Sequence, residues 1–372
     1  MRVIVVGGGY AGLATIIELR RRMAKTEIHL FDPGSHHLKR TCLQKTLHTP
    51  LSDQQIPFAE LGERFGFTHH RVEMALDQTE LRRWQDHQSV LLGNGSLDFD
   101  YLVLATGARP SYAGNPSAGI YGLDEFCRGD GPAILTDLVT RPTQQIKHIS
   151  VVGAGATGLQ FLFELHHQLK KISANGRLRL IDRAPTVLPH LPSRFHRYVS
   201  KRLHAADISY LPSTQYLDQT NGRIQVKAVK GGRESSLPST MTLFFPGVVP
   251  YPRKIQTDRY GRIRVGDRVL WNLFAVGDCS HYDAPGMNAL TAQAAIHKGK
   301  HIALNIQRIV QGRLPRIYTY NERGYFISLG PSDGVGWLGL KHNIITGLSA
   351  CIAKETVETQ YAWFLEGIDT MI

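Results

Sequence analysis

A chain of 372 residues, 42% apolar and 20% charged, has the composition of a globular protein with room for two or three domains. No apolar run approaches the ~18 residues that a membrane-spanning helix needs, and glycines interrupt the N-terminal run too early for a signal peptide, so the chain reads as one kept in the cytoplasm. The formal net charge of +12 would suit an anionic membrane face or a nucleic acid, but the basic residues are scattered, no nucleic-acid motif accompanies them, and a nucleic-acid partner is not favoured.

Residues 2–6 form a short apolar run that reads as a strand, and Gly7, Gly9 and Gly12 follow at GxGxxG spacing. Residues 13–22 read as a helix and 27–31 as a second strand that closes on Asp32. Gly7 permits a tight strand-to-helix turn, Gly9 lets backbone amides approach a pyrophosphate, and Gly12 lets helix and strand pack closely. The helix N-terminus offers unpaired N–H donors, and Asp32 can accept hydrogen bonds from ribose hydroxyls. Residues 33–67 are irregular, contain Cys42, and are expected to lie over the ligand. Residues 69–85 read as a strand and connector, and 90–97 as a hairpin around Asn94-Gly95. Residues 98–107 are a buried strand ending at Ala105-Thr106-Gly107, where small residues let the backbone come close to a flat cofactor.

The pattern then recurs. Residues 148–152 read as a strand, Gly153, Gly155 and Gly158 form a second GxGxxG, a helix spans 159–171, and a strand over 177–181 ends on Asp182. Two full fingerprints imply two dinucleotide sites. Residues 221–245 alternate like hairpin strands, 273–278 (LFAVGD) form a short buried strand ending at Gly277-Asp278, and 288–307 read as a helix. Residues 342–364 carry apolar positions at helical spacing, Ile345, Leu348 and Ile352 and later Tyr361, Phe364 and Leu365.

This order of motifs resembles the two-dinucleotide flavoproteins, the FAD-dependent pyridine-nucleotide oxidoreductases, over about residues 1–310. The resemblance implies an α/β fold with two Rossmann-like dinucleotide-binding domains: a discontinuous FAD domain (1–112 and 253–315), an inserted NADH domain (113–252) and a short C-terminal segment (316–372). It places FAD against Gly7, Gly9, Gly12, Asp32, Thr106, Gly107, Gly277 and Asp278, and NADH against Gly153, Gly155, Gly158 and Asp182. Asp182 would bond the adenosine 2′-hydroxyl and repel a 2′-phosphate; Arg183 beside it pulls the other way.

Within that family the chain is most similar to type II NADH:quinone dehydrogenases, whose pattern AQxAxQQG is matched by residues 292–299, AQAAIHKG. The resemblance puts Gln293 at the quinone site beside the flavin; His297, one helical turn away, departs from the family's glutamine, and because quinone reduction takes up protons its imidazole suits a proton relay. It implies hydride transfer from NADH to FAD and two-electron reduction of a quinone-like acceptor. A second departure is Gly158-Leu159-Gln160, where the family commonly has Gly-Val-Glu.

Other readings stay open. Cys42, Cys127, Cys279 and Cys351 are far apart, without CxxC or metal-type spacing, and read as reduced thiols with no metal site. Cys42 lies where single-cysteine NADH-dependent peroxidases and disulfide reductases carry a redox thiol, but Leu43-Gln44 follows it, and the chain after residue 315 is too short for those enzymes' dimerisation domain. Sulfide:quinone reductases need a cysteine pair at the flavin, and nothing around Cys127 and Cys351 supports one. A redox-sensing flavoprotein of the apoptosis-inducing-factor type would use the positive charge differently, and a homodimer is left open. Residues 334–364, with Trp337, Leu338, Leu340 and the helical apolar positions, suit an element resting on the inner face of a membrane. Glu355, Glu358, Glu366 and Asp369 favour the alternative, packing on the flavin domain.

Overall fold

The computed structural model describes residues 1–93, 95–140, 147–174 and 176–370. The apolar run Arg2–Val6 is the middle strand of the parallel part of an eight-stranded sheet, flanked by Glu27–Phe31 and Tyr101–Leu104, both parallel to it. Phe67–His70 and Arg268–Ala275 extend the parallel part on either side, and Arg262–Val265, Ile255–Thr257 and Ser280–Tyr282 complete the sheet. Strands buried on both faces read as continuous apolar runs, as residues 3–6, 101–104 and 273–275 do.

The sheet therefore joins strands from residues 2–104 and 255–282, and the chain between them builds a sheet of its own. Its five-stranded, all-parallel sheet runs Ile120–Tyr121, Met241–Phe244, Lys147–Val152, Gly176–Ile181, Ser209–Leu211. The chain leaves and returns through one crossing, where Ala108–Pro110 pairs antiparallel with Val248–Pro250.

Helix α1 (Tyr10–Arg22) follows the first glycine loop and α2 (Ala156–Lys171) the second. Helix α3 (Ala292–Val310) lies on α1, close enough that a Cβ at Gly299 would stand 2.4 Å from the Ala11 carbonyl oxygen. Three antiparallel strands follow, Gly324–Ser328, Gly334–Leu338 and Ile344–Thr346, and then α4 (Leu348–Leu365). Ile327, Leu329 and Val335 sink into the core of the five-stranded sheet, whereas Tyr361, Phe364 and Leu365 join the core around α1 and α3. The C-terminal segment thus clamps both halves.

Several elements differ from the sequence reading. Residues 78–87, expected as connector, form a helix, Gln78–His87, because Leu81, Trp84 and Gln85 bury one face and Asp77 caps the N-terminus by accepting from the Glu80 amide. The expected helix from 288 starts at Ala292 on a Thr291 cap, since the Asn288 side chain instead bonds both backbone groups of Tyr282. The alternation over 221–245 resolves into Arg223–Ala228, Glu234–Pro238 and Met241–Phe244. The hairpin strands are Ser89–Leu92 and Gly95–Asp98; Asn94 of its turn lies outside the described residues. Ile345 sits on a strand, not on the helix: Gly347, at φ +70°, ends the strand and lets α4 begin.

Candidate functional site

The two glycine loops have the same construction. Gly7 (φ +106°) and Gly153 (φ +105°) occupy backbone that favours glycine, and a Cβ there would meet the Ala105 carbonyl at 2.5 Å and the Phe245 carbonyl at 2.1 Å. At Gly12 and Gly158 a Cβ would fall 1.9 and 1.8 Å from the carbonyls of Gly7 and Gly153, so helix and loop touch only because these are glycines. Gly9 and Gly155, the N-caps of α1 and α2, have nothing within 4 Å of an added Cβ. Each helix start thus opens onto free space, with unpaired amides and a positive dipole end suited to a pyrophosphate.

Asp32 and Asp182 close the loops. Asp32 accepts from the amides of Gly8 and Gly34, each at 2.7 Å; Asp182 accepts from Ala154 at 2.5 Å and Ala184 at 2.6 Å.

The late strand brings Gly277 and Asp278 to the first loop, where a Cβ on Gly277 (φ +71°) would lie 2.9 Å from that of Ala11. Burial pushes the Asp278 carboxyl up to about 6, against the opposing charges of Lys298 and Arg40. Its Oδ1 is buried without a hydrogen-bond partner among the described residues. Gly107 (φ +70°) is open on its Cβ side, while the Thr106 hydroxyl donates to the Tyr251 carbonyl at 2.6 Å and pins the interdomain crossing. A buried acceptor lacking a donor, beside an open helix N-terminus, fits FAD, whose ribityl hydroxyls donate and whose pyrophosphate accepts.

Gln293 and His297 are half-buried on α3. The His297 ring stacks on Tyr320, centroids 4.3 Å apart and planes 23° apart, and the Tyr320 hydroxyl is buried without a hydrogen-bond partner among the described residues. Sequence reasoning missed Tyr320, which lies in an irregular segment that carries no motif. It also missed Lys298, although a lysine at a glutamine position of AQxAxQQG was a signal. Gln160, the departure after the second fingerprint, accepts from the amide and hydroxyl of Ser328, both at 3.3 Å, and so ties α2 to the C-terminal sheet.

All four cysteines are free. Cys42 is 5% exposed, and burial together with the nearby Glu358 carboxylate pushes its thiol up to about 11. That burial favours a protonated, packed thiol at neutral pH over a thiolate nucleophile. Cys351 donates weakly to the Pro331 carbonyl, and Cys127 is half-buried. Among the described residues no helix is long and apolar enough to cross a membrane.

Two sheets, one with a parallel core and one parallel throughout, each with its own glycine loop and strand-end acid, define a two-dinucleotide-binding oxidoreductase. The chain belongs to the pyridine nucleotide-disulphide oxidoreductase family, whose pattern matches residues 1–299. It is an NADH-driven flavin oxidoreductase with FAD as cofactor and NADH as cosubstrate. A type II NADH:quinone oxidoreductase of Staphylococcus aureus is 24% identical over 410 residues, covering 99% of this chain and 96% of that protein. The sulfide:quinone oxidoreductase of Aquifex aeolicus has a similar fold, at TM-score 0.79 and 18% identity over 98% of this chain and 91% of that one. So does NDH2 from Plasmodium falciparum in complex with NADH, at TM-score 0.78 and 13% identity over 97% and 94%.

Proposed function

We propose that this oxidoreductase passes two electrons from NADH through FAD to a quinone-like acceptor. In this reading residues 1–112 and 253–315 hold FAD, 113–252 hold NADH, and 316–372 roof the acceptor site. FAD, when bound, supplies the two-electron chemistry; the chain supplies position and charge. The open helix starts at Gly9 and Gly155 receive the pyrophosphates, Asp32 and Asp182 orient the adenosine riboses, and Asp278 accepts from the ribityl chain.

The observation that carries the acceptor assignment is the His297–Tyr320 stack on the helix face of Gln293. A stacked ring pair beside Gln293 would give a planar dicarbonyl ring a flat surface with polar groups at its edge. Gln293 would donate to a quinone oxygen, and His297 would relay the protons that reduction consumes. The burial of the Cys42 thiol weighs against peroxide or disulfide as acceptor.

The test is anaerobic stopped-flow: reduce the enzyme with NADH, then mix it with quinones, peroxide and disulfides in turn. Rapid reoxidation by quinones alone is expected. Faster reoxidation by peroxide or a disulfide would overturn the reading.

A further inference from the structure

Lys298 lies on α3 one residue before Gly299, with 1% of its surface exposed, and the proposed reaction does not use it. Its ammonium donates to the Ser280 carbonyl at 2.9 Å and the Ser280 hydroxyl at 3.1 Å, and reaches the Gly277 carbonyl at 3.4 Å. The Ser280 hydroxyl in turn donates to the Gly277 carbonyl at 2.7 Å. All these acceptors belong to the turn that carries Asp278. The Tyr282 ring covers another side of the ammonium at 4.8 Å. A neutral amide could fill several of these acceptors with far less desolvation, so the charge itself calls for an explanation. On that same turn lies the Asp278 carboxylate, one oxygen of which is buried and unpartnered among the described residues.

We propose that Lys298 is a positioning residue for FAD: it holds the turn Gly277–Ser280 so that Asp278 faces the cradle, and it supplies the positive charge that keeps Asp278 ionised there. The proposal rests on assigning the first cradle to FAD.

The titratable and charged groups facing Lys298 are Asp278 and Cys279 in the turn, His281 and Tyr282 on the next strand, Tyr318, and Lys254. Burial lowers Lys298 to about 8, helped by Lys254 and opposed by Cys279 and Asp278. Because FAD brings further negative charge, its binding favours the ammonium form, and retention falls as pH rises past about 8.

The test follows FAD release from the holoenzyme by flavin fluorescence between about pH 6.5 and 9.5 for wild type, Lys298→Met, Lys298→Gln and Asp278→Asn. At pH 7 both Lys298 variants should release FAD about tenfold more readily, the low end of what one hydrogen-bonded charge contributes, and should lose the wild-type slope above pH 8. Lys298→Gln keeps a donor without the charge, so it reads the charge even if Lys298→Met folds poorly. Wild-type retention and slope in Lys298→Gln, with FAD lost from Asp278→Asn, would overturn the role of Lys298 alone. Wild-type retention in Asp278→Asn would overturn the cradle assignment and the proposal with it.

Discussion

Asp32 and Asp182 accept the same pair of backbone hydrogen bonds at the ends of their strands, one from the middle of the glycine loop and one from the amide two residues on. Both carboxylates are therefore fixed before any ligand arrives, so that in the proposed sites a ribose hydroxyl would meet a preset acceptor.

In the proposed NADH site a fixed carboxylate at Asp182 would also repel a 2′-phosphate. NADH should reduce the flavin faster than NADPH at equal low concentration, by about 10- to 100-fold for one charge-assisted bond. Asp182→Ser should narrow that gap. A wild type that prefers NADPH would show that the adjacent Arg183 decides the matter.

Cys42→Ser should keep most NADH-driven turnover, because a thiol pushed up to about 11 is protonated at working pH. Loss of turnover with flavin content unchanged would favour the thiol-based alternative.

The local frame was readable because its signals are local: a glycine that must turn, a buried run that must be a strand, an acid that must end it. The same strands at 2–6, 27–31 and 177–181 appear in the structure, give or take a residue. What was not readable depends on distant packing. Gln78–His87 is held by Leu81 and Trp84 against a sheet built partly from residues past 250, which no short window contains. Lys298 becomes notable only once Gly277 and Ser280 fold beneath it, and Tyr320 only once its segment crosses α3 at His297.

Asp278 links stability to pH with the opposite sign from a salt-bridged acid. Its folded-state value of about 6 exceeds the ordinary 3.8, so the folded chain holds the proton more tightly, and stability falls as pH rises from about 4 through 6. Above that window the cost is fully present, at most ~3 kcal/mol. Flavin-free Asp278→Asn should therefore melt higher than wild type at pH 8 and alike at pH 4, yet bind FAD more weakly. Thermal melts at the two pH values check it; a variant less stable at pH 8 would refute the burial cost.

Gln293→Ala should raise the quinone KM or lower kcat while flavin reduction by NADH keeps its rate. Single-turnover reduction separates the two half-reactions. Slower reduction by NADH would move Gln293 to the nicotinamide side.

The C-terminal helix presents two faces with different partners. Tyr361, Phe364 and Leu365 are buried in the flavin-side core, whereas Leu348, Ile352 and Trp363 remain 60, 57 and 48% exposed. Ile352 and Trp363 line one shallow groove with Pro331, Cys351 and Thr359. The four acids that argue against an anionic surface are each countered from elsewhere in the chain: Glu355 and Glu358 by Lys45, Glu366 by Arg64 and Asp369 by Lys300. Their repulsion of anionic lipid is thereby reduced, and the net charge of +12 favours approach. Peripheral contact through this face is expected, weakening with salt. Deleting the segment from residue 334 would be a poor test, since it also removes Tyr361, Phe364 and Leu365 from the core, each worth roughly 1.5–3 kcal/mol. The better variant carries Leu348→Ser, Ile352→Ser and Trp363→Ser together, which leaves the buried face intact. Flotation with anionic vesicles should show binding reduced about tenfold or more in that variant, with NADH-driven flavin reduction unchanged. Equal flotation of the two proteins would remove this face from any membrane contact.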